Sequence, residues 1–408
     1  MRKILAFFVV LPLVLACLGV VWIYTPVREH QPRRWYTMPI EALRADLFAD
    51  WGVIQPQAEI PSSSSPRIYE RDLIDPATVT YEFDGERRTV ADYIERANVS
   101  GLMLLRDGKV RIEVYRKGLD RESRSHIWSA SKSFTATLIG MAVYDGKIQS
   151  LDDPVEVYAP QFVGTAYGEA SIRHVMMMSS GIDFHHFEGS PNRDDLYDAV
   201  LQRGEDFDRW AAALGRRTAP GTDFNYIATD THVLSAVLRG AYGKPFAEVV
   251  EEKLWEPGGF GAARWGLDAS GHAMGHCCLS LRLQDFANLG QLYLEDLELG
   301  GEPVVGPDWI AAVEQAQAPF QEPVVSPEAS RRSGYSFQFW LPPAYDREFI
   351  AMGAFGQYLW IDRERGFVVA QFSTGASLRQ MLTSGGASST AVSEEETFAV
   401  MRALGGVG

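Results

Sequence analysis

The chain has 408 residues, 46% of them hydrophobic, with a formal net charge of −15. That is enough apolar material for a sizeable core, and for two or three domain-sized units. A surface this acidic repels phosphate backbones and argues against nucleic-acid binding, and three cysteines cannot build a disulfide framework.

The first segment, "MRK", precedes an uncharged apolar run from Ile4 to Tyr24. About 21 residues make ~31 Å of helix, enough to cross a bilayer. The expectation is a membrane anchor over residues 1–27 that holds the bulk of the chain outside the cytoplasm, on the periplasmic side of the inner membrane. A cleaved signal peptide or a lipoprotein signal ending at Cys17 are the alternatives. Residues 28–94 read as an extension, and "QPQAEIPSSSSP" (Gln55 to Pro66) reads as an extended linker.

The main domain is expected over 95–408. "GLMLLRDGKVRIEVYRKG" holds two apolar runs around Asp107-Gly108, a β-hairpin signal. From Ser129 the apolar period becomes helical: Phe134, Leu138 and Met141 share a face, and Gly146 supplies a left-handed stop. Residues 151–271 are loop-rich with helical pieces, and a helix is expected in "LRLQDFANLGQLYLEDL". Strand signals return in "YSFQFWLPP" and in two β-rich runs around Asp362 to Gly366, and "AVSEEETFAVMRAL" reads as a terminal helix. Strands at both ends with helices between them imply an α+β fold with one sheet built from distant segments.

The helix entrance "HIWSASKSF" raises the chemical question. Only Lys132 among the lysines has a serine, Ser129, three residues before it. Residues three apart on a helix are neighbours, so the amine can reach the hydroxyl. A serine hydroxyl needs such a base to become a nucleophile, and burial lowers a lysine's pKa enough for it to serve. S-x-x-K alone is common by chance. "HAMGHCC" sets His272 and His276 one turn apart but lacks recognisable zinc spacing, so no metal and no cofactor are expected. Cys277 and Cys278 are adjacent, a poor geometry for an ordinary bridge, and read as small core residues.

Three stretches give Ser129 and Lys132 their context. "SASKSF" (129–134), "PGTDFNYIATD" (220–230) and "AMGAFGQYLWID" (351–362) resemble, in order, the three motifs of the serine β-lactamase and penicillin-binding superfamily. The resemblance is closest to the class C-like branch with its esterases and 6-aminohexanoate-dimer hydrolases, and runs from about residue 95 onward. It implies an antiparallel sheet flanked by helices, with an all-helical region beside it and the site between them. It implies Ser129 as nucleophile, Lys132 as its partner, Tyr226 as proton relay, and the backbone N–H groups of Ser129 and Ala354 as the oxyanion hole. Asp183, Met352, Gly353 and Gln357 are candidate substrate contacts. His185 and His186 read as rim residues.

Two departures bear on substrate. The second motif ends in Tyr226-Ile227-Ala228 where the lactamases carry asparagine, and Ala351 stands where the third motif often opens with lysine or histidine. The missing groups bind β-lactams and D-Ala-D-Ala peptides. The expectation is therefore a serine hydrolase acting on a small ester or amide. A β-lactamase or D-Ala-D-Ala peptidase, and a catalytically silent cell-envelope binding protein, are the alternatives. Arg379 could replace the missing cation.

Overall fold

The computed structural model describes residues 55–186, 189–324, 333–374 and 392–407. The expected anchor at Ile4–Tyr24 and Arg379 lie outside the described residues. Among the described residues no helix is long and apolar enough to cross a membrane.

Five long strands organise the molecule: β1 (Val99–Arg106), β2 (Lys109–Tyr115), β3 (Glu348–Gly353), β4 (Gln357–Asp362) and β5 (Phe367–Ser373). They lie in an eight-stranded sheet in the order Gly334–Tyr335, Trp340–Leu341, β3, β4, β5, β1, β2, Glu70–Arg71. Pairing is antiparallel except where Glu70–Arg71 runs parallel to β2. The β1–β2 turn sits at Asp107-Gly108, both with positive φ, the twist a tight hairpin needs. The last β-rich stretch differs from expectation. Its first run is two strands, β3 and β4, folded back at Ala354-Phe355-Gly356.

Four long helices pack around the sheet and beside it: α1 (Ser131–Tyr144), α2 (Ala228–Tyr242), α3 (Leu283–Leu294) and α4 (Glu394–Leu404). Gly146 has a φ of 68°, consistent with the stop expected after α1. Strand side chains alternate between faces, so each strand feeds two cores. Met103, Leu105, Val368 and Ala370 face α1 and α3. Leu102, Leu104, Ile112 and Val369 face α4 and the helix Val90–Arg96. Gly290 lets α3 lie close to the sheet, because a Cβ there would sit 2.5 Å from the Val368 side chain.

A second sheet has the order Gln57–Ile60, Ala263–Gly266, Leu279–Arg282, Arg124–His126. It corrects the linker expectation. Gln57–Ile60 pairs along Ala263–Gly266, and the Ser63 hydroxyl donates to the Glu256 carbonyl at 2.8 Å. The serine-rich composition suggested an open chain, but these serines find partners almost two hundred residues away. The Cys277 and Cys278 expectation also changes. Both are buried, as core residues would be, yet their sulfurs are joined.

Glu396, at the start of α4, fastens the outer face. It accepts hydrogen bonds from Arg88, Arg96 and Tyr81. Burial alone would raise its pKa, but the bonds from Arg96, Tyr81 and Arg88 outweigh burial and hold it at about 2. A depressed carboxylate stabilises the fold above its unfolded pKa, and that contribution fades as pH falls through the folded value. Glu396→Gln should therefore lower the thermal midpoint by several degrees at pH 7, and the gap to wild type should close between about pH 4.5 and 2. A gap independent of pH, followed by calorimetry, would contradict this assignment.

Candidate active site

The second sheet delivers Ser129. Its strand Arg124–His126 leads to Ile127, whose N–H donates to the Leu279 carbonyl at 3.0 Å. A single 3₁₀ turn, Trp128–Ala130, then opens into α1. Trp128 has a φ of 52°, a left-handed conformation that is strained for so large a residue. The turn leaves Ser129 partly exposed and Lys132 buried one turn below it.

Polar side chains on α1 draw a distant segment alongside. The Ser131 hydroxyl donates to the Trp128 carbonyl at 2.7 Å and accepts from the Leu279 N–H at 3.3 Å. The Thr135 hydroxyl donates to the Gly275 carbonyl at 2.8 Å. These bonds bring the His276 carbonyl to 2.8 Å from Lys132 Nζ, which also lies 3.2 Å from Ser129 Oγ. Only 2% of Lys132 is exposed, and burial lowers its pKa to about 7. Near neutral pH a large fraction of this lysine is an uncharged amine with a lone pair.

Tyr226 arrives from the helical region, immediately before α2. Its segment is held by the Asn225 N–H, which donates to the Met178 carbonyl at 2.8 Å. The Tyr226 ring centroid lies 5.1 Å from Lys132 Nζ. Burial raises the pKa of the phenol, and a hydrogen bond with Ser129 offsets part of that rise. Tyr226 therefore stays protonated at neutral pH, and Lys132 is the member of the pair that can accept a proton there. Ser129 and Lys132 from the first motif and Tyr226 from the second meet in one place.

The third motif meets them from the central sheet. Ala351 is buried on the α1 face of β3. Met352 packs on the opposite core, with Ile350 and Trp360, which corrects its reading as a substrate contact. Gly353 touches the segment leading to Ser129 through its backbone. A Cβ there would lie 2.1 Å from the Ile127 carbonyl oxygen, so only glycine permits the approach. The next residue, Ala354, is thereby set beside the Trp128–Ala130 turn. Phe355 follows with a φ of 68°, its ring 5.0 Å from Trp128.

Gln357 also needs correction. It is fully buried, and its amide is engaged by Ser373 and Ala354, so it is not a substrate contact. Asp183 lies half-exposed on the loop beside Tyr226, 3.4 Å from His185. From that loop it is His186 whose ring meets Tyr226, edge-on at 5.3 Å. Trp340 flanks Tyr226 at 5.1 Å. The sequence carried little signal for these neighbours. His276 acts through its carbonyl, which any residue possesses, and Trp340 sits in a strand of two residues.

His272 and His276 do not converge. His276 is buried near Lys132, whereas His272 lies with Asp206 and Asp208, the three offering ligand atoms within 4.8 Å of one another. The Asp208 oxygens already accept from His232 at 2.8 Å, Arg239 at 2.6 Å and Gln161 at 2.9 Å. That cluster is built as an internal ion pair.

The chain is 25% identical over 343 residues to a 6-aminohexanoate-dimer hydrolase of Paenarthrobacter ureafaciens, covering 80% of this chain and 84% of that protein. A candidate 6-aminohexanoate-dimer hydrolase from Bacillus anthracis superposes with a TM-score of 0.76 at 19% identity, over 93% of this chain and 96% of the other. A family VIII carboxylesterase superposes with a TM-score of 0.57 at 16% identity, over 77% and 94% of the two chains. The beta-lactamase family model matches residues 87–383. With the motifs in order on this fold, the chain belongs to the beta-lactamase family, whose hydrolases include amidases and esterases.

Proposed function

We propose that the protein is a serine hydrolase that cleaves a small ester or amide through an acyl-enzyme on Ser129. The observation that carries this reading is the buried Lys132, its Nζ 3.2 Å from Ser129 Oγ and its pKa lowered by burial to about 7. The uncharged amine takes the Ser129 proton as the oxygen attacks the carbonyl carbon. The carbonyl oxygen gains charge and is received by the N–H groups of Ser129 and Ala354. Tyr226, still protonated, relays a proton to the departing alkoxide or amine. Water then attacks the acyl-enzyme, and acid and Ser129 are released.

Ala351 and Ala228 shape the substrate reading. Both are buried, on β3 and at the start of α2, and neither offers charge or a side-chain hydrogen bond. A substrate carboxylate binds best to a cation beside the oxyanion hole, through charge-assisted bonds about twice as strong as neutral ones. The aromatic neighbours Trp128, Phe355, Tyr226 and Trp340 instead favour a neutral acyl or alkyl group.

Short-chain p-nitrophenyl esters should be hydrolysed, and nitrocefin and D-Ala-D-Ala peptides should not. The comparison is kcat/KM for p-nitrophenyl butyrate against nitrocefin on one preparation, with Ser129→Ala as blank and a fluorophosphonate adduct mapped to Ser129. Efficient Ser129-dependent nitrocefin turnover would overturn the substrate class. Ester turnover that survives Ser129→Ala would overturn the mechanism.

Lys132 carries a further consequence, for stability. A buried lysine held uncharged in the fold but charged when unfolded destabilises the protein. The penalty is complete below the folded pKa of about 7 and vanishes above the unfolded value of about 10.5. Lys132→Met should thus abolish ester hydrolysis yet raise the thermal midpoint at pH 6, with less gain at pH 10. A midpoint lowered at both pH values would show that the amine supports the fold instead.

A further inference from the structure

The turn that presents Ala354 is clamped by two buried glutamines that touch no catalytic side chain. Gln357 Nε2 donates to the Ser373 carbonyl at 2.5 Å and to the Ala354 carbonyl at 3.3 Å, while its Oε1 accepts from the Ser373 N–H at 3.4 Å. Its side chain thus pairs with a backbone residue as another strand would. This happens where the β5 register against β1 shifts, between Phe372 and Ser373. Gln371, one strand over, donates to the Gly356 carbonyl at 3.1 Å, and its Oε1 accepts from the Tyr93 hydroxyl at 3.0 Å. Both glutamines are buried, Gln357 completely.

The two amides hold two of the three residues of the turn by their carbonyls. Phe355, between them, has a φ of 68°, a conformation that a free chain rarely keeps at so bulky a residue. A Cβ on Gly356 would stand 3.1 Å from the Ser373 side chain, which shows how closely the turn lies on the end of β5. From the other side, Gly353 abuts the Ile127 carbonyl. The segment is fixed from below by side-chain amides and laterally by the nucleophile strand.

We infer that Gln357 and Gln371 are positioning residues for the oxyanion hole. They hold the Ala354-Phe355-Gly356 turn so that the Ala354 N–H stays aimed beside Ser129. An oxyanion donor contributes only if it is already in place when charge develops, because reorganisation in the transition state forfeits its advantage. The glutamines supply that rigidity from the sheet, and the role rests on the hydrolase reading above.

The test uses Gln357→Met, which keeps the length and removes the amide. Two quantities are measured below its unfolding temperature: kcat and KM for p-nitrophenyl butyrate, and the affinity of phenylboronic acid. The boron of that probe takes Ser129 Oγ as an additional ligand, and one of its oxygens then occupies the oxyanion hole. Expected are a fall in kcat of about 10- to 100-fold, a KM within about twofold of wild type, and boronate affinity falling in parallel with kcat/KM. Unchanged kcat and boronate affinity in folded Gln357→Met would overturn the brace. So would a loss confined to KM or to thermal stability. Wild-type boronate affinity no better than that of Ser129→Ala would overturn the hydrolase reading and, with it, the role of the brace. If Gln357→Met does not fold, Tyr93→Phe carries the same test. It removes one hydroxyl donor to Gln371, and boronate affinity should fall about fivefold. No change there would overturn the proposal.

Discussion

An amine shut away from water is the constraint that the rest of the structure serves. Lys132 sits on the buried side of α1, and removal from solvent disfavours its charged form. A hydrogen bond to the His276 carbonyl satisfies one N–H without supplying a countercharge. An acidic partner would have restored the ordinary lysine pKa. The chain instead offers a carbonyl, a serine hydroxyl and the Tyr226 ring, all neutral.

Keeping that arrangement needs two sheets. The smaller one brings Arg124–His126 beside Leu279–Arg282, so the entrance to α1 and the stretch carrying His276 come together. The larger one brings β3 against Ile127 through Gly353 and leaves Ala354 beside the Trp128–Ala130 turn. The helical region supplies Tyr226 from a third direction. Gln338 links these parts. Its carbonyl accepts from Ser133 on α1 at 2.8 Å, its side-chain oxygen from Thr231 on α2 at 2.6 Å, and its amide donates to Met176 at 2.8 Å. Its own φ of 61° is strain located at a junction, where surrounding contacts can hold it.

Much of this was legible from residue patterns, and the exceptions share physical causes. The hairpin at Asp107-Gly108, the stop at Gly146 and the terminal helix follow from local chemistry that any fold must respect. That Ser129, Lys132 and Tyr226 come together was readable because the side chains themselves carry the motif pattern. Met352 and Gln357 were misread for want of a strand phase. The turn Ala354-Phe355-Gly356 was not visible, since its central residue is a phenylalanine at positive φ rather than an asparagine or glycine. Gln55 to Pro66 was misread because composition reports only local preference, whereas the partners of Ser63 and Ser64 lie at Glu256. His276 was invisible as a partner of Lys132 because its contribution is a backbone carbonyl.

The proposed hydrolysis depends on the protonation state of Lys132, which can be observed without any substrate. Protein labelled with ¹³C at the lysine ε carbon gives one resonance per lysine, and Lys132 is assigned by its loss in Lys132→Met. Titrated from pH 5 to 11, its resonance should shift with a midpoint near 7, while exposed lysines such as Lys109 titrate well above that. A Lys132 midpoint near 10 would mean a charged ammonium beside Ser129 at neutral pH and would contradict the mechanism.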